Sequence, residues 1–110
     1  MAYNQYDVIV VPFPFTDMEA TKKRPAIVLS NNKSFNHPAG HCICLMVTSV
    51  TSAWPLDVEI KDLESAGLNS ASKMRMKIFT LDETFILRKA GALSSTDQKN
   101  LKTALGKLID

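Results

Sequence analysis

Two short stretches of the sequence carry side chains suited to holding a negatively charged group. Arg24 follows Lys22 and Lys23 at the point where a polar segment leads into an apolar run. A guanidinium is planar, permanently charged and able to donate two parallel hydrogen bonds to phosphate oxygens. Thr48 and Ser49 end another apolar run, so their hydroxyl groups are expected where a buried strand reaches solvent. These residues permit a polyanionic partner without requiring one.

Basic and apolar residues alternate in a third stretch. Lys73, Arg75 and Lys77 are separated by Met74 and Met76. Strict alternation is typical of a β-strand, whose successive side chains point to opposite faces. We therefore expect the three basic residues to form a stripe on one face, either as a solvated surface or as a contact for a polyanion. The formal net charge of +2 again permits such a partner and does not demand it.

The elements that must position these residues are short strands separated by polar loops. Residues 62–72 are predicted as a loop or a short helical turn around Gly67. Such a pattern favours a mainly β fold, a small curved antiparallel sheet or barrel of five to seven strands with one C-terminal helix. The predicted strands span residues 6–11, 25–29, 42–49, 57–60, 73–81 and 85–87.

The C-terminal helix is predicted from its cap and its apolar stripe. Ser94 or Ser95 caps its N-terminus, with Asp97 or Gln98 three residues further on. The apolar residues that follow recur at the spacing of one helix face. They are Leu101, Ala104, Leu105, Leu108 and Ile109.

Length and composition indicate one globular domain over residues 1–110. Hydrophobic residues make up 45% of the 110 residues and charged residues 22%, which excludes a disordered chain. The longest stretch without acidic or basic residues, 34–56, is broken by histidine, proline and glycine, so no membrane span is expected. The chain opens without the pattern of a signal peptide, and we expect a cytoplasmic location.

No metal or cofactor is expected from the spacing of potential ligands. Cys42 and Cys44 lie two residues apart on one predicted strand, where they are expected to be buried, reduced and small apolar residues. His41 would point to the opposite face, so the ligands of a zinc site are missing. His37 and His41 lie in or beside a turn-rich loop without an orienting carboxylate, which favours loop histidines over catalytic ones.

Five segments, in order and covering nearly the whole chain, resemble the PemK/MazF (Kid-like) family of toxins. The resemblance is carried by the combination of segments, because a single Arg-Pro followed by a β-branched run is common. The segments are Asp7-Val-Ile-Val-Val-Pro-Phe-Pro-Phe-Thr-Asp17, Lys23-Arg24-Pro25-Ala26-Ile27-Val28-Leu29-Ser30, Cys42-Ile-Cys-Leu-Met-Val-Thr48-Ser49, Trp54-Pro55-Leu56-Asp57-Val58 and Phe79-Thr80-Leu81-Asp82.

The resemblance implies an SH3-like barrel, a homodimer and a sequence-selective endoribonuclease that needs no metal. Such enzymes cut single-stranded mRNA and leave 2′,3′-cyclic phosphate and 5′-OH ends. They are the toxins of type II toxin–antitoxin systems and are silenced by an acidic, partly disordered antitoxin. DNA binding is expected only through the complex with the antitoxin.

The resemblance also implies roles for individual residues. Arg24 and Thr48 match catalytic positions of the family. Some members carry an acidic residue as general base before the Thr-Leu-Asp segment, whereas this sequence has Met76 and Lys77 there. Asp17 is a candidate base instead, and a water or a phosphate-assisted path is another. The residues expected to bind RNA are Lys23, Ser49, Arg75 and Lys77.

Other functions remain open at this point. The chain could be a catalytically weak copy, or a growth inhibitor of the same fold that binds a protein such as DNA gyrase, as CcdB-like relatives do. An SH3-like module for extended peptides is a third possibility, although such grooves need several clustered aromatic residues. Trp54 could stack on an RNA base or merely anchor its loop.

Overall fold

Six antiparallel strands form one curled sheet in the computed structural model, which describes residues 3–13 and 22–110. Each strand pairs with its neighbours in the order β4-β5-β3-β2-β1-β6. The strands are β1 (Asp7–Phe13), β2 (Lys22–Val28), β3 (His41–Thr48), β4 (Val58–Glu59), β5 (Lys73–Asp82) and β6 (Arg88–Ala92). The predicted base Asp17 lies outside the described residues.

Short helical turns connect the strands, and a longer helix closes the chain. A π-helical turn at Asn32–Asn36 continues into α1 (His37–Ala39), and α2 (Leu63–Ala66) follows β4. The last helix, α3 (Ser95–Leu108), has 14 residues. Within the described residues, no helix combines the length and apolar character needed to cross a bilayer.

The predicted mainly β fold with a C-terminal helix is confirmed, but one predicted strand is wrong. Residues 85–87 are not a strand. Glu83–Phe85 form a 3₁₀ turn instead, because the Asp82 side chain accepts a hydrogen bond from the Thr84 N–H at 2.9 Å and caps it. The strand that follows begins three residues later, at Arg88.

Both faces of the sheet are buried, which explains why β3 is apolar on both sides. Val8, Ile27 and Leu45 belong to one cluster, which includes Leu101 of α3. The alternate residues belong to a second cluster on the other face. That cluster contains Ile9, Val11, Ala26, Val28, Cys42, Cys44, Leu81 and Ile86. Cys42 and Cys44 are thus buried free thiols, as predicted.

A bulge in β5 interrupts its pairing with β3. Leu45 pairs with Ile78 while the next residue, Met46, pairs with Arg75, so β5 carries two extra residues at this point. Because two residues are inserted, Lys73, Arg75 and Lys77 stay on one side of the strand, where all three contact residues 52–57. Their exposure differs, since Arg75 is buried and Lys77 is exposed. A sequence pattern of period two does not reveal such a bulge, because the alternation continues through it.

The segment after α2 lies directly against β6. Gly67 ends α2 in the left-handed conformation, with φ of +72°. A Cβ at this position would lie 2.1 Å from the carbonyl oxygen of Ala90. Only glycine therefore fits both the turn and the contact. This close approach holds the start of residues 67–72 against β6.

The N-terminus of α3 is joined to the segment after β4 by one buried carboxylate. Ser94 caps the helix, and its side chain accepts from the Asp97 N–H. The Asp97 carboxylate accepts from the backbone N–H groups of Lys61 at 2.9 Å and Asp62 at 3.0 Å, and from the Ser94 hydroxyl at 3.2 Å. Asp97 is fully buried. It therefore fixes the helix against the sheet.

Replacing Asp97 by alanine should strongly destabilise the fold. The change leaves two partly buried N–H donors and the buried Ser94 cap without their acceptor, and we expect the free energy of unfolding to fall by about 2–4 kcal/mol. Urea denaturation followed by circular dichroism measures this. Asp110→Ala, at the exposed C-terminus, is the control and should change stability by less than about 0.5 kcal/mol. Equal stability of the two variants would contradict this role of Asp97.

Candidate active site

The pairing of β2 with β3 brings Arg24 and Thr48 together. Ala26 pairs with Met46, and Val28 pairs with Cys44. The ladder between β2 and β3 ends at the first of these pairs, and Arg24 and Thr48 each lie two residues beyond it, on the same side of the sheet. Both side chains line the same two cavities, so two residues 24 positions apart in the sequence meet at the end of the sheet.

Arg24 and Thr48 lie on the wall shared by two cavities. The larger cavity, of about 480 Å³, lies between the end of the sheet and residues 67–72, and the smaller, of about 230 Å³, lies beside Phe13. Both cavities are lined by Arg24 and Thr48. Lys23 and Ser49 line the larger one, and Arg75 and Lys77 line the smaller one. All six described residues that the sequence assigned to the site therefore line one or both of these neighbouring cavities.

The Arg24 guanidinium lies at the rim beside an aromatic ring. Its central carbon lies 5.9 Å from the centre of the Phe13 ring, within the range of a cation–π contact. Within residues 3–13 and 22–110, no acidic side chain pairs with Arg24. No carboxylate of these residues therefore competes for its donors with an anion that enters either cavity.

The Thr48 hydroxyl is oriented by the backbone that follows it. Its oxygen accepts a hydrogen bond from the Val50 N–H at 3.3 Å. Because the oxygen acts as acceptor there, the hydroxyl proton is left to donate to another group. Thr48 can therefore donate to an anion bound by Arg24.

Arg75 lies in a different environment from the other basic residues of the site. It is 8% exposed, and its Nε and Nη2 donate to the two carboxylate oxygens of Asp57 at 3.2 and 3.0 Å. Nη2 also donates to the Ser52 carbonyl at 2.8 Å. The expectation of an exposed Arg75 is thus wrong, because Asp57 forms a bidentate ion pair with it.

Trp54 packs against two of these cations. The Lys77 Nζ lies 4.9 Å and the Arg75 guanidinium carbon 5.8 Å from the centre of its ring. Trp54 thus anchors its loop to β5, one of the two alternatives that the sequence left open, and the residue remains 44% exposed.

Arg88 is a residue of the larger cavity that sequence reasoning missed. It begins β6 and is exposed beside Val10, with which it pairs. The polar residues Asn69, Ser70 and Ser72 line the same cavity. The misplaced strand at residues 85–87 hid Arg88, since only the true bounds of β6 bring it next to β1.

The cysteines are not suited to act as nucleophiles or metal ligands. Burial, and to a lesser extent the charges of Glu83 and Asp7, raise the pKa of Cys42 to about 11. Burial, with a contribution from Cys42, raises the pKa of Cys44 to about 12. Both thiols are therefore protonated at neutral pH. Among the described residues, no three His, Cys, Asp or Glu side chains are grouped closely enough to hold a metal ion.

The ion pair of Asp57 makes a pH-dependent contribution to stability. Burial alone would raise the pKa of Asp57, but hydrogen bonds from Arg75 and the Trp54 N–H, with the charges of Arg75 and Lys73, lower the pKa below its ordinary value of 3.8. A carboxylate whose pKa is lowered by folding stabilises the folded state above that value. The contribution is lost as the pH falls through the lowered pKa.

Asp57→Asn should therefore reduce stability at pH 7, by about 1–2 kcal/mol. The difference from the wild type should shrink as the pH falls below about 4. Thermal melting at a series of pH values measures it, with Glu64→Gln at an exposed position as control. A difference that is the same at pH 7 and at pH 2 would show that the Asp57 charge does not stabilise the fold.

The sequence and the fold both match one known family. A family profile described as PemK-like, MazF-like toxin of type II toxin–antitoxin system matches residues 4–109. No curated protein sequence matches the chain significantly.

Similar solved structures include toxins alone and toxins bound to antitoxins. A MazE–MazF complex from Deinococcus radiodurans has a TM-score of 0.76 and 18% identity, covering 99% of this chain and 96% of that chain. An endoribonuclease with its cognate antitoxin from a mycobacterial species has a TM-score of 0.76 and 16% identity, covering 96% of this chain and 93% of that chain. The MazF-mt6 toxin of Mycobacterium tuberculosis has a TM-score of 0.71 and 17% identity, covering 92% of this chain and 93% of that chain. The chain belongs to the PemK-like, MazF-like toxin family of type II toxin–antitoxin systems.

Proposed function

We propose that this chain is a sequence-selective endoribonuclease toxin that cuts single-stranded mRNA without a metal ion. The observation that carries the proposal is that Arg24 and Thr48 both line two neighbouring cavities at the end of the sheet. A phosphodiester placed on this wall would direct one flanking nucleoside into each cavity. Membership of the toxin family and the structural likeness to endoribonucleases support the same activity.

The chemistry follows from what Arg24 and Thr48 can donate. The 2′-OH of the substrate gives its proton to a general base and attacks the neighbouring phosphorus. The bond from phosphorus to the 5′-oxygen breaks, and that oxygen takes up a proton from the protonated base or from water. This leaves a 2′,3′-cyclic phosphate and a 5′-OH end. Arg24 stabilises the charge that develops on the non-bridging oxygens with two hydrogen bonds. Thr48 donates a third hydrogen bond to the same phosphate.

Proton transfer needs a general base that β5 does not supply. Met76 and Lys77 occupy the stretch where some members of the family carry an acidic residue. We propose Asp17, from the segment between β1 and β2, as the base. That segment connects Phe13 to Lys22, both close to Arg24 in β2.

Polar and basic residues that line the two cavities or adjoin Thr48 would bind the RNA backbone. Lys23 and Arg88 line the larger cavity and Lys77 the smaller one, and Ser49 follows Thr48. Such phosphate contacts hold RNA in register without reading its sequence. Arg75 is engaged with Asp57.

The same basic surface suits an antitoxin. An acidic, partly disordered segment would compete with RNA for Arg24 and its neighbours and would order itself through charge-assisted contacts. The solved MazE–MazF complex supports this partner. We further propose a homodimer in the cytoplasm, with DNA bound only by the complex with the antitoxin. Several large apolar side chains that stay exposed, among them Phe13, Ile78 and Leu87, support a further interface.

Arg24→Lys should be nearly as damaging to cleavage as Arg24→Ala. A lysine offers a point charge in place of two parallel donors, and we expect the cleavage rate to fall about 10²–10³-fold. Arg24 lies at the rim, so both variants should fold with little change in melting temperature. Rates are measured on a labelled RNA at saturating enzyme, with binding and melting measured on the same samples.

Arg88→Gln is the matched control. It removes one charge from the larger cavity but not from the wall opposite Thr48. We expect it to raise KM about 3- to 10-fold and to leave kcat nearly unchanged, as the loss of one uniform phosphate contact would. An Arg24→Lys variant that cuts RNA at the wild-type rate would show that Arg24 contributes only charge.

A further inference from the structure

We propose that Arg75 is a positioning residue for Thr48, which it serves by fastening residues 49–57 to β5. This role rests on the proposed function, in which Thr48 donates to the phosphate. It replaces the direct RNA contact that the sequence assigned to Arg75.

Residues 49–57 are fastened at two points. Near the middle, the Ser52 carbonyl accepts from Arg75 Nη2 at 2.8 Å and from Lys73 Nζ at 2.5 Å. At the end, Asp57 accepts from both Nε and Nη2 of Arg75, and Lys73 Nζ lies 3.6 Å from its Oδ2. One guanidinium thus holds two points of the segment that lie five residues apart. We call this set of contacts the latch.

The turn inside the latch contains one residue in an unfavourable backbone conformation. Leu56 has φ of +64°, in the left-handed region that residues with a side chain rarely adopt. The turn is closed by Trp54 and Asp57. The Trp54 N–H donates to the Asp57 carboxylate at 2.9 Å, and the Asp57 N–H donates to the Trp54 carbonyl at 3.1 Å. The same carboxylate is the one that Arg75 binds, so loss of Arg75 weakens the contact that offsets this strain.

The latch reaches Thr48 through Val50. The Val50 N–H binds the Thr48 oxygen at 3.3 Å, and Val50 lies two residues before Ser52. The position of this N–H therefore depends on where the Ser52 carbonyl is held. If residues 49–57 move away from β5, the Thr48 hydroxyl loses the bond that orients it toward the shared wall.

The geometry of Arg75 argues against a direct contact with RNA. Three of its N–H groups are already directed at Asp57 and Ser52, and the residue is 8% exposed. A phosphate would have to displace a bidentate carboxylate to reach it. Lys77 lines the same cavity and is exposed, so it offers the more accessible charge.

The test uses Arg75→Lys, Asp57→Asn and the double variant in the full-length chain. Arg75→Lys keeps the charge but cannot bind Asp57 and Ser52 together. Lys102→Gln, on the exposed face of α3, is the control for altered charge. The measurements are kcat, KM for a labelled RNA, melting temperature, and the acrylamide quenching of Trp54, which is the only tryptophan in the sequence.

We expect kcat to fall about 10- to 100-fold in both single variants, the loss that follows when a reacting group is displaced by about an ångström. KM should stay within about twofold of the wild type. Trp54 should become more accessible to acrylamide. Because both residues act through one latch, the double variant should be no slower than either single variant by more than about twofold.

Three results would overturn the proposal. Wild-type kcat in folded variants with a more accessible Trp54 would mean that the latch exists and does not position Thr48. A raised KM with unchanged kcat, or losses that add in the double variant, would mean that Arg75 contacts RNA directly. A wild-type chain that cuts no RNA would overturn the proposed function and the positioning role with it, and that result is separate from the first two.

Discussion

The pairing of β2 with β3 determines where the candidate active site forms. The register that sets Ala26 opposite Met46 directs Arg24 and Thr48, each two residues further on, to the same side of the sheet. A shift by one residue would turn Arg24 to the other face of the sheet, because side chains alternate along a strand. The register itself is fixed by burial, since Ile27 and Leu45 on one face and Val28 and Cys44 on the other are fully buried. The hydrophobic core thus determines where the two polar residues meet.

At the rim of the sheet, Arg24 and Thr48 combine a fixed backbone with accessible polar atoms, which a core position could not provide. Arg24 and Thr48 continue two buried strands beyond the core, so their backbones are fixed while their polar atoms face the cavities. An unpaired guanidinium deep in the core would be costly. Arg75 illustrates the contrast, because it is buried and is accordingly paired with Asp57. Among the described residues, Arg24 has no carboxylate partner, whereas Arg75 is bound by the carboxylate of Asp57.

The sequence supported a correct prediction wherever burial alone determined the structure. Continuous apolar runs identified β1 and β3, and the Ser94 cap with its apolar stripe identified α3. Prediction from the sequence failed where polar contacts, either local or between distant residues, determined the structure. The Asp82 side chain turns residues 83–85 into a 3₁₀ turn, which displaced β6 and hid Arg88. The β5 bulge arises from the pairing with β3 and leaves the alternation intact on either side. The bond between Asp57 and Arg75 joins residues 18 positions apart, a separation that no local pattern encodes.

The proposed chemistry is tested directly by incubating the purified chain with a long single-stranded RNA in EDTA and mapping the new ends. We expect cuts at a short recurring sequence with 5′-OH and 2′,3′-cyclic phosphate ends, because Arg24 and Thr48 supply the stabilising contacts and the substrate supplies the nucleophile. Intact RNA, or cleavage that appears only when magnesium is restored, would show that these residues do not carry a metal-independent reaction.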